Sequence, residues 1–415
     1  MMKKLFIPLV ITALLALPAL RISAWDWGLL LDNTASLESV DADTGSQSDG
    51  FLYSGTLIPW FSSPLGTSGK LYLSAGATAD YEKENWTFIP ELLRTELSFR
   101  SNSSGLEFRA GRMLYADPLG FIAGGLFDGA RLSRDFSFGA MGIGVWYTGL
   151  LYKENAQITM TNDDLVSYYS DLDYSNFADT YFASRRLMFA LDWDYPDMKE
   201  WLRFRMAYIG QLDLNGRDES YSSHYLAVKA GIPISSFTLD LGGCVTLAQI
   251  TDINDDKQIK IGLAGELGIG WALPTSIQDR LSFTGRFSSG TVDSDGKLAA
   301  FVPITTVSQG DVLKAKLSGL SMLRLDYTAR LHESFSFTLA SSYFILSDLG
   351  TWQGFLTERD GYLLGNEFSG HLIWSPVSDL RLNLGGGVFL PSMGNADPKA
   401  DPIWRIDLNA VLLIF

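Results

Sequence analysis

Cysteine is almost absent from this chain of 415 residues, and histidine is scarce. With Cys244 as the only cysteine, no internal disulfide can form, so hydrogen bonding and packing must supply the stability. The histidines are His224, His332 and His371. Ser369 and His371 would share one face of a strand and suggest a barrel hydrolase, but no third orienting group or nucleophile motif accompanies them. We therefore predict no enzyme and no catalytic residue.

Long apolar runs are absent after the first residues, as are Pro/Ser-rich linkers and low-complexity segments. No later segment could form a transmembrane helix. The first 24 residues differ: Lys3 and Lys4 precede an apolar run from Leu5 to about Leu20, and Ala24 stands at a plausible cleavage point. This pattern is typical of a secretory signal peptide. We predict a cleaved signal peptide over residues 1–24 and a single domain over residues 25–415.

Positive charge is also in short supply: Lys and Arg total 32 against 47 Asp and Glu, a formal net charge of −15. Removal of Lys3, Lys4 and Arg21 with the signal peptide would change the formal net charge from −15 to −18. A chain this acidic argues against nucleic acid as a partner. The run "DINDD" at 252–256 has oxygen ligands but lacks the glycine-turned spacing of a calcium loop, so we predict no metal and no cofactor.

The sequence does contain sustained period-two alternation. In "IKIGLAGELGIGW" (259–271) the isoleucines, the leucines and Trp271 share one parity, while Lys260, Glu266 and small residues occupy the other. Similar alternation recurs in "RLSFTGRFSSG", "LRLDYTARL" and "RLNLGGGVFL". A strand with one fully apolar face suits either a soluble sandwich or a membrane barrel. Many strands in a soluble sheet would leave edges to protect, whereas a barrel has none.

Short and long connections take turns along the chain, with short turns such as "SNSSG" (101–105) and longer polar segments such as 81–89 and 152–180. This alternation is typical of outer-membrane barrels, with tight periplasmic turns and long extracellular loops. We predict an all-β, transmembrane, antiparallel up-and-down barrel of about 18 strands (16–18), with both termini on the short-turn side.

The chain ends in "WRIDLNAVLLIF". A final amphipathic strand with a terminal aromatic resembles the signal that outer-membrane assembly machinery reads, so we predict that machinery and outer-membrane lipid as partners. Phe415 shares its parity with Arg405, Asp407 and Asn409, which requires either a bulge that shifts the register or a last turn exposed to both phases.

A barrel of this size can hold an aqueous channel, so function would reside in the inward-facing residues. Parity assigns more basic than acidic residues to the interior, which favours passage of anions. The alternative is that arginine–carboxylate pairs only brace the wall. The predicted pore-lining residues are Arg94, Arg109, Arg131, Arg186, Arg203, Arg205, Lys260, Arg280, Arg286, Lys316, Arg324, Arg330, Arg381 and Arg405.

The longest predicted loop, 152–180, contains several aspartates and the tyrosines Tyr168, Tyr169 and Tyr174. Tyrosine faces can stack on sugar rings, so these three are candidate stacking residues. A loop of this length can fold over or into the pore. The alternative is an ordinary solvated loop.

The stretch "GLEFRAGRMLYADPLGFIAGGLFDGARLS" (105–133) resembles the alginate-export-like outer-membrane family, whose members pair a Gly-Arg strand with a Phe-Asp-Gly strand. The matching residues are Gly111, Arg112, Phe127, Asp128 and Gly129, with Met113 where a glutamine is common. The resemblance covers about 30 residues. It implies an 18-stranded porin with a basic lumen for an anionic polysaccharide.

Together these features predict a passive channel in the cell outer membrane for anionic solutes, with acidic oligo- or polysaccharide as candidate cargo for export or uptake. The alternative is a closed structural or adhesive barrel whose function lies in its acidic, tyrosine-rich extracellular loops.

Overall fold

The structure, a computed structural model, describes residues 25–39, 50–82, 84–195, 201–216, 219–251, 256–291, 298–351 and 361–415. The predicted signal peptide (1–24) and most of the "DINDD" run lie outside these residues. Eighteen antiparallel strands form one sheet, and two short strands, β14 and β15, pair separately in a loop. The strands are β1 Asp26–Glu38, β2 Phe51–Leu65, β3 Gly69–Glu82, β4 Asn85–Arg100, β5 Leu106–Ala116, β6 Gly124–Phe136, β7 Gly139–Tyr147, β8 Arg186–Tyr195, β9 Arg203–Asp213, β10 Ser220–Ile234, β11 Phe237–Thr251, β12 Lys257–Ala272, β13 Arg280–Ser288, β14 Ser308–Gln309, β15 Ala315–Lys316, β16 Leu320–His332, β17 Phe335–Leu346, β18 Leu363–Val377, β19 Leu380–Leu390 and β20 Ile403–Ile414.

The sheet is closed, because its first strand pairs with its last. On β1, Leu29 lies opposite Pro59 of β2 on one side and Ile414 of β20 on the other. Every other barrel strand pairs with its neighbours in sequence, once β14 and β15 are set aside. The prediction of an up-and-down antiparallel barrel of about 18 strands is therefore confirmed.

The two faces of the wall follow the alternation. On β12, Ile259 is 72% exposed, and Leu267 and Ile269 are also exposed, whereas Glu266 on the other parity contacts charged side chains of β10 and β13. An apolar face turned outward all round a closed sheet is the arrangement expected of a barrel that lipid surrounds. Outward aromatics near the strand ends add to it, with Phe237 stacked on Trp271 and Trp193 edge-on to Phe204.

The connections alternate in length and so define two rims. The short-turn rim carries turns such as Asn102–Ser104 and Glu333–Ser334, and both ends of the barrel chain lie there. The long-loop rim carries the segments 117–123 and 148–185 and the described residues of 289–319, which are 289–291 and 298–319. Segment 289–319 refers below to these described residues. One predicted long loop, 81–89, is wrong: β3 and β4 extend to within two residues of each other, and Glu84 makes the tight turn with φ +62°.

Helices are few and lie in loops. Segment 148–185 contains α1 (Lys153–Ala156), α2 (Asn162–Tyr168) and α3 (Phe177–Thr180), with a 3₁₀ turn at Tyr174–Asn176, and a second 3₁₀ turn spans Pro391–Met393. In the part of the chain that the structure describes, none of the helices has the length and apolarity needed to cross a membrane.

The terminal residue resolves the parity question. β20 pairs with β1 and β19 without a register shift, and the regular strand ends at Ile414. Phe415 follows the strand, and its ring meets Trp60 edge-on with centroids 6.2 Å apart. No bulge is therefore needed to explain why Phe415 shares its parity with Arg405.

Candidate functional site: the barrel interior

Three segments fold into the barrel from the long-loop rim: 117–123, 148–185 and, within segment 289–319, residues 298–319. Phe121, Ile122, Phe301 and Ile304 are fully buried against inward-facing wall residues of β8 to β12, among them Tyr225, whose hydroxyl donates to the Val302 carbonyl. The interior is thus partly filled by protein on this side. The segments narrow any path through the barrel.

Carboxylates hold the inserted segments in place. Asp117 accepts hydrogen bonds from the backbone N–H groups of Leu119, Gly120, Ile122 and Ala123, at 2.7 to 3.0 Å. Burial raises the pKa of Asp117, and these four donors oppose that rise. One carboxylate therefore fixes the whole turn 117–123.

A second carboxylate, Glu367 on β18, fixes segment 289–319. It is fully buried and accepts from the backbone N–H groups of Asp311, Val312 and Leu313 at 2.7, 3.0 and 2.8 Å. Gly310, with φ +84°, brings the chain to within reach, since a Cβ there would lie 2.8 Å from Glu367 Oε2. The backbone of the segment is therefore anchored to the wall.

Segment 148–185 is anchored by Arg186 at the start of β8. Its guanidinium is completely buried, forms an ion pair with Asp164 of α2 and lies 2.6 Å from Asp213 Oδ2 of β9. Asp164 also caps α2 through the Thr161 backbone N–H and accepts from Ser184 Oγ at 2.6 Å. The structure thus contradicts the prediction for Arg186: it faces inward but lies beneath the segment, where no solute reaches it.

Charged side chains form a belt around the remaining interior. Arg94 on β4 and Arg109 on β5 share Glu96, at 2.6 and 3.5 Å, and Lys229 on β10 and Arg286 on β13 share Glu266, at 2.9 and 2.8 Å. Two bases to one acid leave a local excess of positive charge at Glu266, while Glu107 adds a second acid near Arg109.

In two other groups of the belt, one on β1 and β20 and one on β16 beside β13, the carboxylates are in excess. Arg405 lies between Glu38 and Asp407, at 2.5 and 2.8 Å. Arg324 lies between Asp326, at 2.7 Å, and Asp311 of the inserted segment, at 3.1 Å. The belt therefore has no basic and acidic halves, because the base-rich group at Glu266 and the acid-rich group at Arg324 extend to the adjacent strands β13 and β16. Two further predicted residues, on β6 and β9, are also ion-paired: Arg131 with Asp192 at 3.0 Å and Arg205 with Asp194 at 3.3 Å.

Four predicted residues lie close to the short-turn rim, on the inward parity of β9, β13, β16 and β19. Arg203 and Arg381 are exposed and form no ion pair within the described ranges. Arg280 donates to Thr238 Oγ1 at 3.1 Å, and Arg330 donates to the Glu333 carbonyl at 3.0 Å. These arginines form a basic group that we call the rim arginines.

The two predicted lysines lie toward the long-loop rim. Lys260 is half-buried on the inward parity of β12. Lys316, on the short strand β15, donates to Thr159 Oγ1 at 3.0 Å and to the Thr159 carbonyl. Burial lowers the pKa of Lys316 to about 8, while Asp164 opposes that change.

The tyrosines of segment 148–185 occupy two places. Tyr168 and Tyr169 meet edge-on at 5.1 Å and line a cavity of about 510 Å³ at the long-loop rim, with Lys316 and many hydroxyl groups. Tyr174 instead bonds to the backbone N–H and carbonyl of Phe88 on β4. That part of β4 has no partner on β5, because the two strands pair only from Thr95 to Arg100. Tyr174 closes this gap.

Ser369 and His371 do share one face of β18, and the structure brings Asp311 to both. Ser369 Oγ lies 2.5 Å and His371 Nε2 3.6 Å from the same oxygen, Asp311 Oδ2. The hydroxyl thus donates to a carboxylate, and a nucleophile would need it to face a base. Although burial alone would raise the pKa of Asp311, His371, Ser369 and Arg324 hold it well below its ordinary value.

Sequence reasoning missed Asp311 and Glu38, because loop carboxylates and residues near a strand end have no parity signal. Two residues of the Gly-Arg and Phe-Asp-Gly pattern meet in the structure, since Arg112 and Asp128 form an ion pair of 2.7 Å. The pair lies on the outward parity, so it belongs to the wall and not to the interior.

Comparisons with known proteins identify the fold alone. No protein-family model matches this chain, and no curated protein matches it. Solved structures do match. OccK11 (OpdR) of Pseudomonas aeruginosa shares 13% identity at a TM-score of 0.59, over 94% of this chain and 96% of that one. OccAB2 of Acinetobacter baumannii shares 11% identity at a TM-score of 0.61, over 95% of this chain and 99% of that one.

A third match, OccK2 (OpdF) of Pseudomonas aeruginosa, was solved in complex with glucuronate; it shares 10% identity at a TM-score of 0.61, over 95% of this chain and 98% of that one. All three have barrels of the same architecture. The comparisons support a porin-type barrel and do not single out the alginate-export-like family.

Proposed function

We propose that this protein is an outer-membrane channel through which small anionic solutes diffuse passively. A closed sheet with an apolar outer face and a charged interior supports the membrane location, and the porin-type neighbours agree with it. The rim arginines carry the anion preference. They are inward, mostly exposed, and form no ion pair among the described residues, so they create a positive potential at the pore entrance.

The belt contributes less to selectivity than its arginines suggest. Most of its bases are balanced by a carboxylate within 4 Å, so they brace the wall as well as lining the path. We therefore assign selectivity to the rim arginines and to the base-rich group at Glu266. Small anions are the proposed cargo in preference to a polysaccharide, because the three inserted segments narrow the interior.

A matched pair of sugars tests this proposal. Glucuronate and glucose share a ring and differ by a carboxylate, so proteoliposomes with the mature chain should take up glucuronate faster. Replacement of the rim arginines Arg203, Arg280, Arg330 and Arg381 by glutamine should lower the glucuronate-to-glucose ratio several-fold. Glutamine at Lys257 and Lys399, exposed bases at the long-loop rim, serves as the control and should leave the ratio unchanged. Equal uptake of both sugars by the unmodified protein would contradict the proposal.

The second candidate is a closed structural barrel with its function in the loops. The filled interior around Phe121, Phe301 and Ile304 favours it. A closed barrel would take up neither sugar, so the same experiment separates the two functions.

A further inference from the structure

One carboxylate oxygen in the interior receives three contacts from the barrel wall. Asp311 Oδ2 lies 3.1 Å from Arg324 Nη2, 2.5 Å from Ser369 Oγ and 3.6 Å from His371 Nε2. The three groups come from β16 and β18, whereas the carboxylate comes from the inserted segment 289–319. The wall thus presents a site, and a loop residue occupies it.

The composition of the site suits a carboxylate. A guanidinium, a hydroxyl and an imidazole converge on one oxygen, and hydrogen bonds that involve a charged group are shorter and stronger than neutral ones. Asp326 accepts from Arg324 Nε at 2.7 Å, which holds the guanidinium so that Nη2 faces the site. Asp311, Arg324 and His371 are each partly exposed to the interior, so a solute can approach them.

The side chain of Asp311 can leave without the segment moving. Its backbone N–H, and those of Val312 and Leu313, are bound separately by Glu367. Glu367 is fully buried behind the segment and does not contact the three wall groups in the described structure. Only rotation of one short side chain is needed to empty the site.

We propose that Arg324, Ser369 and His371 form a carboxylate-binding subsite, and that Asp311 occupies it as a tethered competitor which the carboxylate of a passing solute displaces. This inference rests on the proposed function and adds its substrate class, the organic carboxylates. A tethered competitor lowers the apparent affinity in proportion to the fraction of time for which the site is empty. Binding is then weak enough to allow release, as conduction requires.

Block of the chloride current by glucuronate, measured on single channels in planar bilayers, tests the subsite. Asp311→Ala should lower the half-blocking concentration at least about fivefold, since the competitor is gone. Glu107→Ala is the control: it removes a partly exposed carboxylate of the belt on β5, leaves Arg109 paired with Glu96, and should leave the half-blocking concentration unchanged. In Asp311→Ala/Arg324→Gln the gain should disappear.

Asp311→Asn covers the case in which the alanine variant does not fold. The amide oxygen can still accept a hydrogen bond from Ser369, but the side chain carries no charge. This variant should also lower the half-blocking concentration. An unchanged half-blocking concentration in both folded variants, or an equal gain in Glu107→Ala, would overturn the inference. The outcome is separate from that of the proposed function, which the ion preference of the unmodified channel decides.

Discussion

Arg112 and Asp128 lie directly opposite each other on β5 and β6 and form a two-armed ion pair, with Nε 3.0 Å from Oδ1 and Nη2 2.7 Å from Oδ2. The guanidinium also donates to the carbonyl of Leu150, at 2.9 Å, and to that of Leu92. Arg112 shares its parity with the outward-facing Phe108 yet is only 5% exposed. The pair therefore ties β4, β5, β6 and segment 148–185 together where β4 and β5 cease to pair.

Removal of Arg112 should be costly, because it leaves Asp128 and two carbonyls without their donor. For Arg112→Ala we expect a loss of about 3 kcal/mol in the free energy of unfolding, measured by urea titration in lipid vesicles. Arg112→Lys should recover only part of it, since an ammonium cannot make both contacts. Arg100→Ala, which breaks an exposed pair with Asp135, is the control and should cost under about 1 kcal/mol. Equal losses in the two alanine variants would refute this role.

Gly111, beside Arg112, should tolerate no side chain. Its φ is +107°, and a Cβ would lie 1.9 Å from the Thr95 carbonyl oxygen. Gly111→Ala should therefore destabilise the barrel by about 2 kcal/mol or more. Gly243→Ala, where nothing lies within 4 Å of the added Cβ, should change stability by less than about 0.5 kcal/mol. The same urea titration measures both, and a neutral Gly111→Ala would show that the strand can shift.

Asp164 should decide whether segment 148–185 stays inside the barrel. Asp164→Ala removes the partner of the buried Arg186 and the cap of α2, so the segment should detach more often. We expect a larger and noisier single-channel conductance and faster proteolysis within the segment. The control is Asp163→Ala, the neighbouring acid of the same helix turn, which should behave as the unmodified protein. Identical conductance in both variants would indicate that the segment does not limit the path.

Lys316 should give the stability a pH dependence. Its pKa is lowered to about 8 in the folded chain, below the ordinary 10.5, so the unfolded chain binds more protons between these values. The free energy of unfolding should accordingly rise with pH from about 8 to 10.5. In Lys316→Met this part of the rise should be missing, which unfolding titrations of both proteins at several pH values would detect. Parallel pH profiles would mean that Lys316 is not desolvated.

The barrel was predictable because the alternation that defines each strand can be read from a short stretch of sequence. Alternation in stretches such as 259–271 reports which face meets lipid, and the number of such stretches fixes the number of strands. The loop at 81–89 was mispredicted because polar residues such as Asp80 and Glu82 occupy inward strand positions, which composition cannot separate from a loop.

The interior was less predictable, because parity shows which face of the wall a side chain lies on but not which residues it contacts. It assigned Arg186 and Arg324 alike to the interior, but the structure buries the first under α2 and leaves the second partly exposed. What distinguishes them is the path of the inserted segments, which depends on contacts between residues far apart in sequence. Glu367 and Asp311, 56 positions apart, are one such contact.

The reversal potential across a potassium chloride gradient, with residues 25–415 refolded into a planar bilayer, measures whether the channel prefers anions. We expect a steady current whose reversal potential favours chloride, and a loss of this preference for chloride when the rim arginines are replaced by glutamine. A cation-selective current, or no current from protein shown to be folded, would contradict this expectation.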